Sequence, residues 1–145
     1  MTENNDTAKK KFSLVELLMI IMLVGIVFTI TIPFHQSQKE HQMVKEAIRN
    51  LQIIAHENVK FFNNPENGYY AFDLSMLDVN EKLTTLPKHN KYYFEYSLTD
   101  STVVATSNEN FGKEGIQIFY YLPSGPMSVA DDALSREIVD PNWLP

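Results

Sequence analysis

Residues 12–34 read FSLVELLMIIMLVGIVFTITIPF, and their only ionisable side chain is Glu16. A helix over this segment extends about 35 Å, and the hydrocarbon core of a bilayer is about 30 Å thick. Lys9, Lys10 and Lys11 precede it directly, as is typical of a flank that stays in the cytoplasm. We therefore predict one membrane-spanning helix over 12–34, with residues 35–145 outside the cytoplasmic membrane.

The charge of the chain is concentrated after this segment. The 145 residues carry a net charge of −6, and residues 65–145 alone hold twelve acids and five bases, which gives −7. An acidic domain repels phosphate backbones, so we expect no direct binding of nucleic acid. The chain has no cysteine, which excludes disulfides, thiolate metal sites and cysteine nucleophiles.

Three interpretations of the apolar segment compete. Cleavable secretory signals have apolar regions of about 7–15 residues that end at small residues, whereas this segment is longer and ends at Ile32-Pro33-Phe34. A plain signal anchor needs only hydrophobicity and a basic flank, and has no use for Glu16. An acid inside the bilayer costs on the order of 2.5–3.5 kcal/mol at mid-depth and less near the interface. Its presence indicates a functional position with a partner.

The third interpretation supplies a partner. Phe12 to Pro33 resembles the N-terminal segment of type IV pilins and type II secretion pseudopilins, without a gap over 22 residues. The resemblance includes the Phe that opens the mature chain (Phe12), Glu at its fifth position (Glu16), Gly at its fourteenth (Gly25) and Pro at its twenty-second (Pro33).

The resemblance implies a specific assembly chemistry. A prepilin peptidase would remove a leader, here residues 1–11, and the new Phe12 amine would be methylated. In the filament, the Glu16 carboxylate would pair with the Phe12 ammonium of a neighbouring subunit, so that two buried charges neutralise each other. Gly25 and Pro33 both weaken a helix. They indicate either a membrane-helix kink or a stretch that unwinds in the filament.

Lys11 departs from the family pattern, which has Gly or another very small residue before the cut. We expect processing nonetheless, because the residues after the junction are intact. If Lys11 blocks cleavage, Phe12 has no free amine and the chain would remain a membrane-anchored protein.

Residues 35–64 change to an amphipathic pattern and predict a helical stem. Apolar residues recur at three- and four-residue steps, and the helix should stop near Asn63-Asn64-Pro65. The apolar stripe comprises Val44, Ala47, Ile48, Leu51, Ile54, Ala55, Val59 and Phe62. Residues 65–145 predict a globular head with about three antiparallel strands, over 91–98, 102–106 and 116–122. The expected fold class is α+β, a long helix packed on a small sheet, which is also the ladle shape of pilins.

Smaller signals leave two points open. A short helix is expected near 75–78, and residues 131–139 could form a short helix or an ordered tail. The acids Asp131, Asp132, Glu137 and Asp140 could hold Ca²⁺, although their spacing matches no defined loop and a solvated tail is favoured. The four histidines (His35, His41, His56 and His89) show no metal spacing. We predict no cofactor, no metal site and no catalytic residue, and therefore no enzyme.

The favoured function is a structural subunit of a type IV pilus-like filament. The implied partners are copies of itself and other pilins, a prepilin peptidase, an inner-membrane assembly platform and, before assembly, the bilayer. The expected location is the inner membrane first, then a surface pilus or a periplasmic pseudopilus. A type II secretion pseudopilin or minor pilin is the alternative within the class. A membrane-anchored binding domain that does not polymerise is the alternative from another class.

Overall fold

The computed structural model describes residues 13–85 and 91–145. The predicted leader (1–11), the junction residues Lys11 and Phe12, and His89 lie outside the described residues. The chain divides into two compact units, Met1–Ser37 and Gln38–Pro145. One helix, α1 (Leu14–Asn63), contributes residues to both units, and each unit is described by itself below.

In the second unit, α1 is amphipathic as predicted. Its apolar stripe is buried from Val44 to Ala55, whereas Val59 is half-buried and Phe62 is exposed. The helix ends at Asn63, two residues before Pro65, whose ring cannot continue it. The prediction of a helical stem that ends at this point is confirmed.

The sheet has four antiparallel strands in the order β1-β2-β3-β4. They span Phe94–Thr99 (β1), Thr102–Ser107 (β2), Gln117–Tyr121 (β3) and Met127–Val129 (β4). The prediction of three strands is wrong in number, although each predicted strand overlaps an observed one. β4 has only three residues, too few to display an alternating pattern, and it is held by pairing with β3.

The core of the second unit joins the helix stripe to one face of the sheet. Leu51 and Ile54 from α1, Val103 and Ala105 from β2, and Ile118 from β3 belong to one cluster of buried side chains. Ala105 lies opposite Ile118 in the register of β2 and β3, so small and large side chains alternate across the sheet. The α+β class is therefore observed.

Two buried asparagines on α1 tie the segment that follows the helix back onto it. The Asn58 side chain accepts a hydrogen bond from the Ala71 N–H at 2.7 Å and donates to the Ala71 carbonyl at 3.2 Å. Asn50 makes the same reciprocal pair with Thr84, at 2.9 Å in both directions. Each side-chain amide thus satisfies a backbone N–H and C=O as a neighbouring strand would.

Asn50 also links this segment to the sheet. Its side-chain amide donates to the Tyr96 hydroxyl at 3.0 Å. Burial raises the pKa of the Tyr96 hydroxyl well above its usual value, against the opposing effect of the Asn50 hydrogen bond. Helix, connecting segment and β1 therefore meet at one buried amide.

The C-terminal residues form a short helix, α2 (Ala133–Ile138), followed by a 3₁₀ turn at Pro141–Trp143. Of the two options for 131–139, the short helix is the one observed. The predicted helix near 75–78 is a 3₁₀ turn at Leu74–Met76. Trp143 stacks on His41 of α1, with ring centroids 4.4 Å apart.

Replacing Asn58 by Ala should destabilise the second unit by about 2–3 kcal/mol, because the N–H and C=O of Ala71 would lose their partners. Asn63→Ala is the matched control, since Asn63 is exposed near the end of the same helix. Urea unfolding of the full chain in detergent, followed by fluorescence of Trp143, the only tryptophan, measures both. Equal stability of the two variants would contradict the role assigned to Asn58.

Acid should weaken the ion pairs that hold Glu57. Hydrogen bonds from Lys60 and then Lys82 lower the pKa of Glu57, at 2.9 Å and 3.2 Å respectively. A lowered folded-state pKa stabilises the fold above the unfolded value of about 4.3, and that stabilisation is lost as pH falls through the folded value. We expect the free energy of unfolding to decrease as the pH is lowered below about 4.3.

The comparison of Lys82→Met with Lys91→Met isolates this effect. Lys82 also pairs with Asp78, at 3.2 Å, whereas Lys91 is exposed and makes no ion pair with any described residue. We expect the free energy of unfolding, measured with urea from pH 3 to pH 7, to decrease less steeply at acid pH in Lys82→Met than in the wild type. Lys91→Met should show the wild-type decrease. Parallel curves for the two variants would contradict this assignment.

Candidate assembly segment

The first unit presents an exposed apolar helix surface. Every large apolar side chain from Leu14 to Ile32 is exposed, from 80% at Leu14 to 45% at Val24. An 18-residue window of α1 has a mean hydropathy of 2.7, with no residue buried. By length and composition this segment can cross a membrane, which is compatible with membrane anchoring.

Glu16 caps the N-terminus of the helix that carries it. Its Oε2 accepts a hydrogen bond from the Ser13 N–H at 2.9 Å, and Ser13 Oγ accepts from the Val15 N–H at 3.3 Å. The first helical hydrogen bond runs from the Leu17 N–H to the Ser13 carbonyl at 3.1 Å. Ser13 and Glu16 therefore form a capping box, in which the positive end of the helix dipole also favours the carboxylate.

This local role was not predicted, although the sequence contained its signal. Ser followed by Glu three residues later, before an apolar run, is the spacing of a capping box. The predicted partner of Glu16 was the Phe12 ammonium of another subunit only. Among the residues that the structure describes, Oε1 of Glu16 accepts no hydrogen bond, so half of the carboxylate is still available to a cation from another chain.

Residues 25–33 are helical but depart from regular backbone bonding. The Thr29 hydroxyl donates to the Gly25 carbonyl at 2.5 Å, and the Thr31 hydroxyl donates to the Val27 carbonyl at 2.7 Å. Pro33 has no N–H, so it cannot donate to the Thr29 carbonyl four residues before it. Hydroxyl bonds to the preceding turn also favour helix bending. Unwinding of this stretch in a filament stays a prediction.

The structure places Glu16, Gly25 and Pro33 on one exposed helix segment. A methyl group in place of the Gly25 hydrogen would meet no described atom within 4 Å, so no residue in 13–85 or 91–145 requires glycine there sterically. Gly25 therefore either weakens the helix at this position or leaves room for another molecule to approach the backbone closely.

The acids near the C-terminus have separate local tasks. Asp132 accepts from the Ser135 N–H at 2.8 Å and caps α2, and these Ser135 hydrogen bonds lower the pKa of Asp132. Asp140 caps the last 3₁₀ turn through the Asn142 N–H, and Asp131 pairs with Arg136. In residues 13–85 and 91–145, no group of three His, Asp or Glu side chains could hold a metal ion.

Comparison of the chain with protein-family models, with curated protein sequences and with solved structures finds no match. The functional interpretation therefore depends on the chain's own residues. These are the exposed apolar surface of α1, the capped Glu16 within it, and the weakened stretch from Gly25 to Pro33.

Substituting Gly25 or Pro33 by Ala should stabilise the backbone of residues 25–33, by about 1 and 3 kcal/mol respectively. Amide hydrogen exchange of the full chain in detergent micelles should slow in this stretch for both variants. Ile20→Leu, an equally exposed change that keeps the backbone as it is, should leave exchange unaltered. Unchanged exchange in both Ala variants would mean that residues 25–33 are no weaker than the rest of α1.

Proposed function

We propose that this chain is a structural subunit of a type IV pilus-like filament, held in the inner membrane before assembly and polymerised through the N-terminal part of α1. The observation that carries the proposal is the uncovered apolar surface of Leu14–Ile32, interrupted only in its first turn by the carboxylate of Glu16. In the proposed filament, neighbouring copies of the same segment replace the lipid around it.

When lipid around the helix is replaced by neighbouring subunits, one charged side chain can have a large effect on the free energy of helix association. Lipid tails are as apolar as the side chains of α1, so helix association in a membrane gains little from hydrophobicity and depends on packing and polar contacts. The free half of the Glu16 carboxylate is the one charged group in the described part of this surface. Pairing it with the Phe12 ammonium of the next subunit rewards one axial register over all others.

The capping box gives specific support to a second candidate, a membrane-anchored domain that does not polymerise. A carboxylate that is already bound by the Ser13 N–H needs no partner from another chain. In that case Glu16 serves only to begin the helix, and an uncut leader before Phe12 would be harmless. The two candidates thus differ in whether the charge of Glu16 matters beyond the cap.

Three variants separate the two candidates. Glu16→Gln removes the charge but can still accept the Ser13 hydrogen bond. Ser13→Ala weakens the cap by about 1 kcal/mol and keeps the charge. A filament subunit should lose most of its assembly in Glu16→Gln and in Glu16→Ala, and retain it in Ser13→Ala. Membrane insertion should be normal in all three.

The measurements are the yield of fibres sheared from cells, fractionation of the membranes, and mass spectrometry of the N-terminus. Native protein that begins at a methylated Phe12 would agree with processing. Fibres that contain the chain with residues 1–11 still attached would contradict the proposed pairing. Wild-type fibre yield from Glu16→Gln would show that assembly does not need the charge and would contradict the pairing, whereas sheared fibres that lack the chain altogether would favour the anchored domain.

A further inference from the structure

The exposed face of α1 in the second unit carries polar and basic side chains but no acid. Six exposed residues recur at three- and four-residue steps, within about 80° on the helix wheel. They form the polar stripe: Gln38, Gln42, Lys45, Arg49, Gln52 and His56. A stripe of this kind is solvated in the single chain, and its chemistry suits an acidic partner.

The acids of this part of α1 are buried beside the stripe or paired elsewhere, and buried Glu46 lines one depression together with Lys45 and Arg49. Glu40 pairs with Lys113 at 3.5 Å, Glu46 is buried, and Glu57 pairs with Lys60 and Lys82. As a result, Lys45 and Arg49 make no ion pair with any residue in 13–85 or 91–145. Their positions, four residues apart, place two like charges side by side on one helix face, where they repel.

The same chain carries the complementary surface on its sheet side. Glu95, Glu109 and Glu114 line one shallow depression, together with Ser107, Asn108 and Asn110. All three carboxylates are exposed, and no lysine or arginine lines the depression. None of the three makes an ion pair with a residue that the structure describes. This acidic depression therefore repels itself in the single chain, as the basic pair does.

We propose that the polar stripe is the docking face for the acidic depression of a second copy of this chain. This inference rests on the proposed function and adds a specific contact between the second units of neighbouring subunits. Lys45 and Arg49 of one copy face Glu95, Glu109 and Glu114 of the next. Each exposed surface gains charges of opposite sign, beyond the buried Glu46 beside the stripe and the Lys91 that adjoins Glu95 and Glu109 in the single chain.

The two surfaces are different patches, and this has a consequence for symmetry. A contact between different patches is head-to-tail, so it closes into a ring or repeats without end as a helix. A two-fold dimer, which joins a patch to itself, would bring Lys45 and Arg49 against their own copies. The charge pattern thus favours a head-to-tail assembly over a two-fold dimer.

A second copy is a better occupant of the stripe than a nucleic acid. Duplex DNA carries one charge per 1.7 Å or so, and the two cations of the stripe neutralise few of them. The chain as a whole carries −6 and would be repelled by any polyanion. A second copy offers three clustered carboxylates, without the continuous row of negative charges that a nucleic acid carries.

Cysteine cross-linking locates the contact, because the chain has no cysteine of its own. Two differently tagged full-length copies are produced in one membrane, one with Lys45→Cys and the other with Glu109→Cys, and are mildly oxidised. The proposed contact gives a disulfide-linked heterodimer. The matched control replaces Glu109→Cys by Glu137→Cys, an exposed acid on α2, and should give at least about tenfold less heterodimer.

Charge exchange tests the electrostatic basis of the same contact. Arg49→Glu in the Lys45→Cys copy and Glu114→Arg in the Glu109→Cys copy, each alone, should lower the heterodimer yield about tenfold, because like charges would then face each other. Both substitutions together should restore it. Raising the salt concentration should also lower the yield, because exposed pairs are screened. Fluorescence of Trp143 checks that each variant is folded.

The outcomes separate this inference from the function on which it rests. Fibres without the 45–109 cross-link would overturn the contact and leave the filament proposal intact. The cross-link without fibres would support the contact and count against the filament. Disulfides between two Lys45→Cys copies in place of the heterodimer would indicate a two-fold dimer and overturn the head-to-tail arrangement. DNA retention that is lost in Arg49→Glu, without the cross-link, would assign the stripe to phosphate instead.

Discussion

The uncovered apolar half of α1 is the constraint on which the rest of the chain depends. Large apolar side chains from Leu14 to Ile32 are all exposed, and at roughly 25 cal/mol for each Å² of apolar surface their exposure to water is prohibitive. A non-aqueous cover would remove this cost. In the proposed function, lipid surrounds this segment before assembly and neighbouring copies of the chain surround it afterwards. The sequence of the segment has to be compatible with both environments.

In the proposed function, the second unit must remain folded when the first unit moves from the bilayer into the filament. It has no disulfide to hold the segment after the helix. Asn50 and Asn58 do this instead, each by binding both backbone groups of one residue, Thr84 and Ala71. Buried amides of this kind hold the segment in one position, because any displacement leaves donors and acceptors unpaired.

Much of the architecture could be predicted from the sequence, and the failures have physical reasons. Apolar periodicity located the stripe of α1, and Pro65 fixed its end near Asn63, because both signals are local. β4 was missed because three residues carry no period of their own and depend on pairing with β3. The roles of Asn50 and Asn58 were not predicted, since the Thr84 and Ala71 backbones that they bind are distant in sequence and leave no local signal.

The capping box modifies the energetic role of Glu16 in the proposed assembly. A carboxylate without any partner in the bilayer costs several kcal/mol, but one oxygen of Glu16 already accepts the Ser13 N–H. Local capping thus lowers the cost of holding the subunit in the membrane before assembly. Because Oε1 is left for a neighbour's ammonium, the cap on Oε2 can persist in the proposed filament and contributes equally before and after assembly. In this proposal the cap lowers the cost of the membrane-bound state without reducing the free energy gained by pairing.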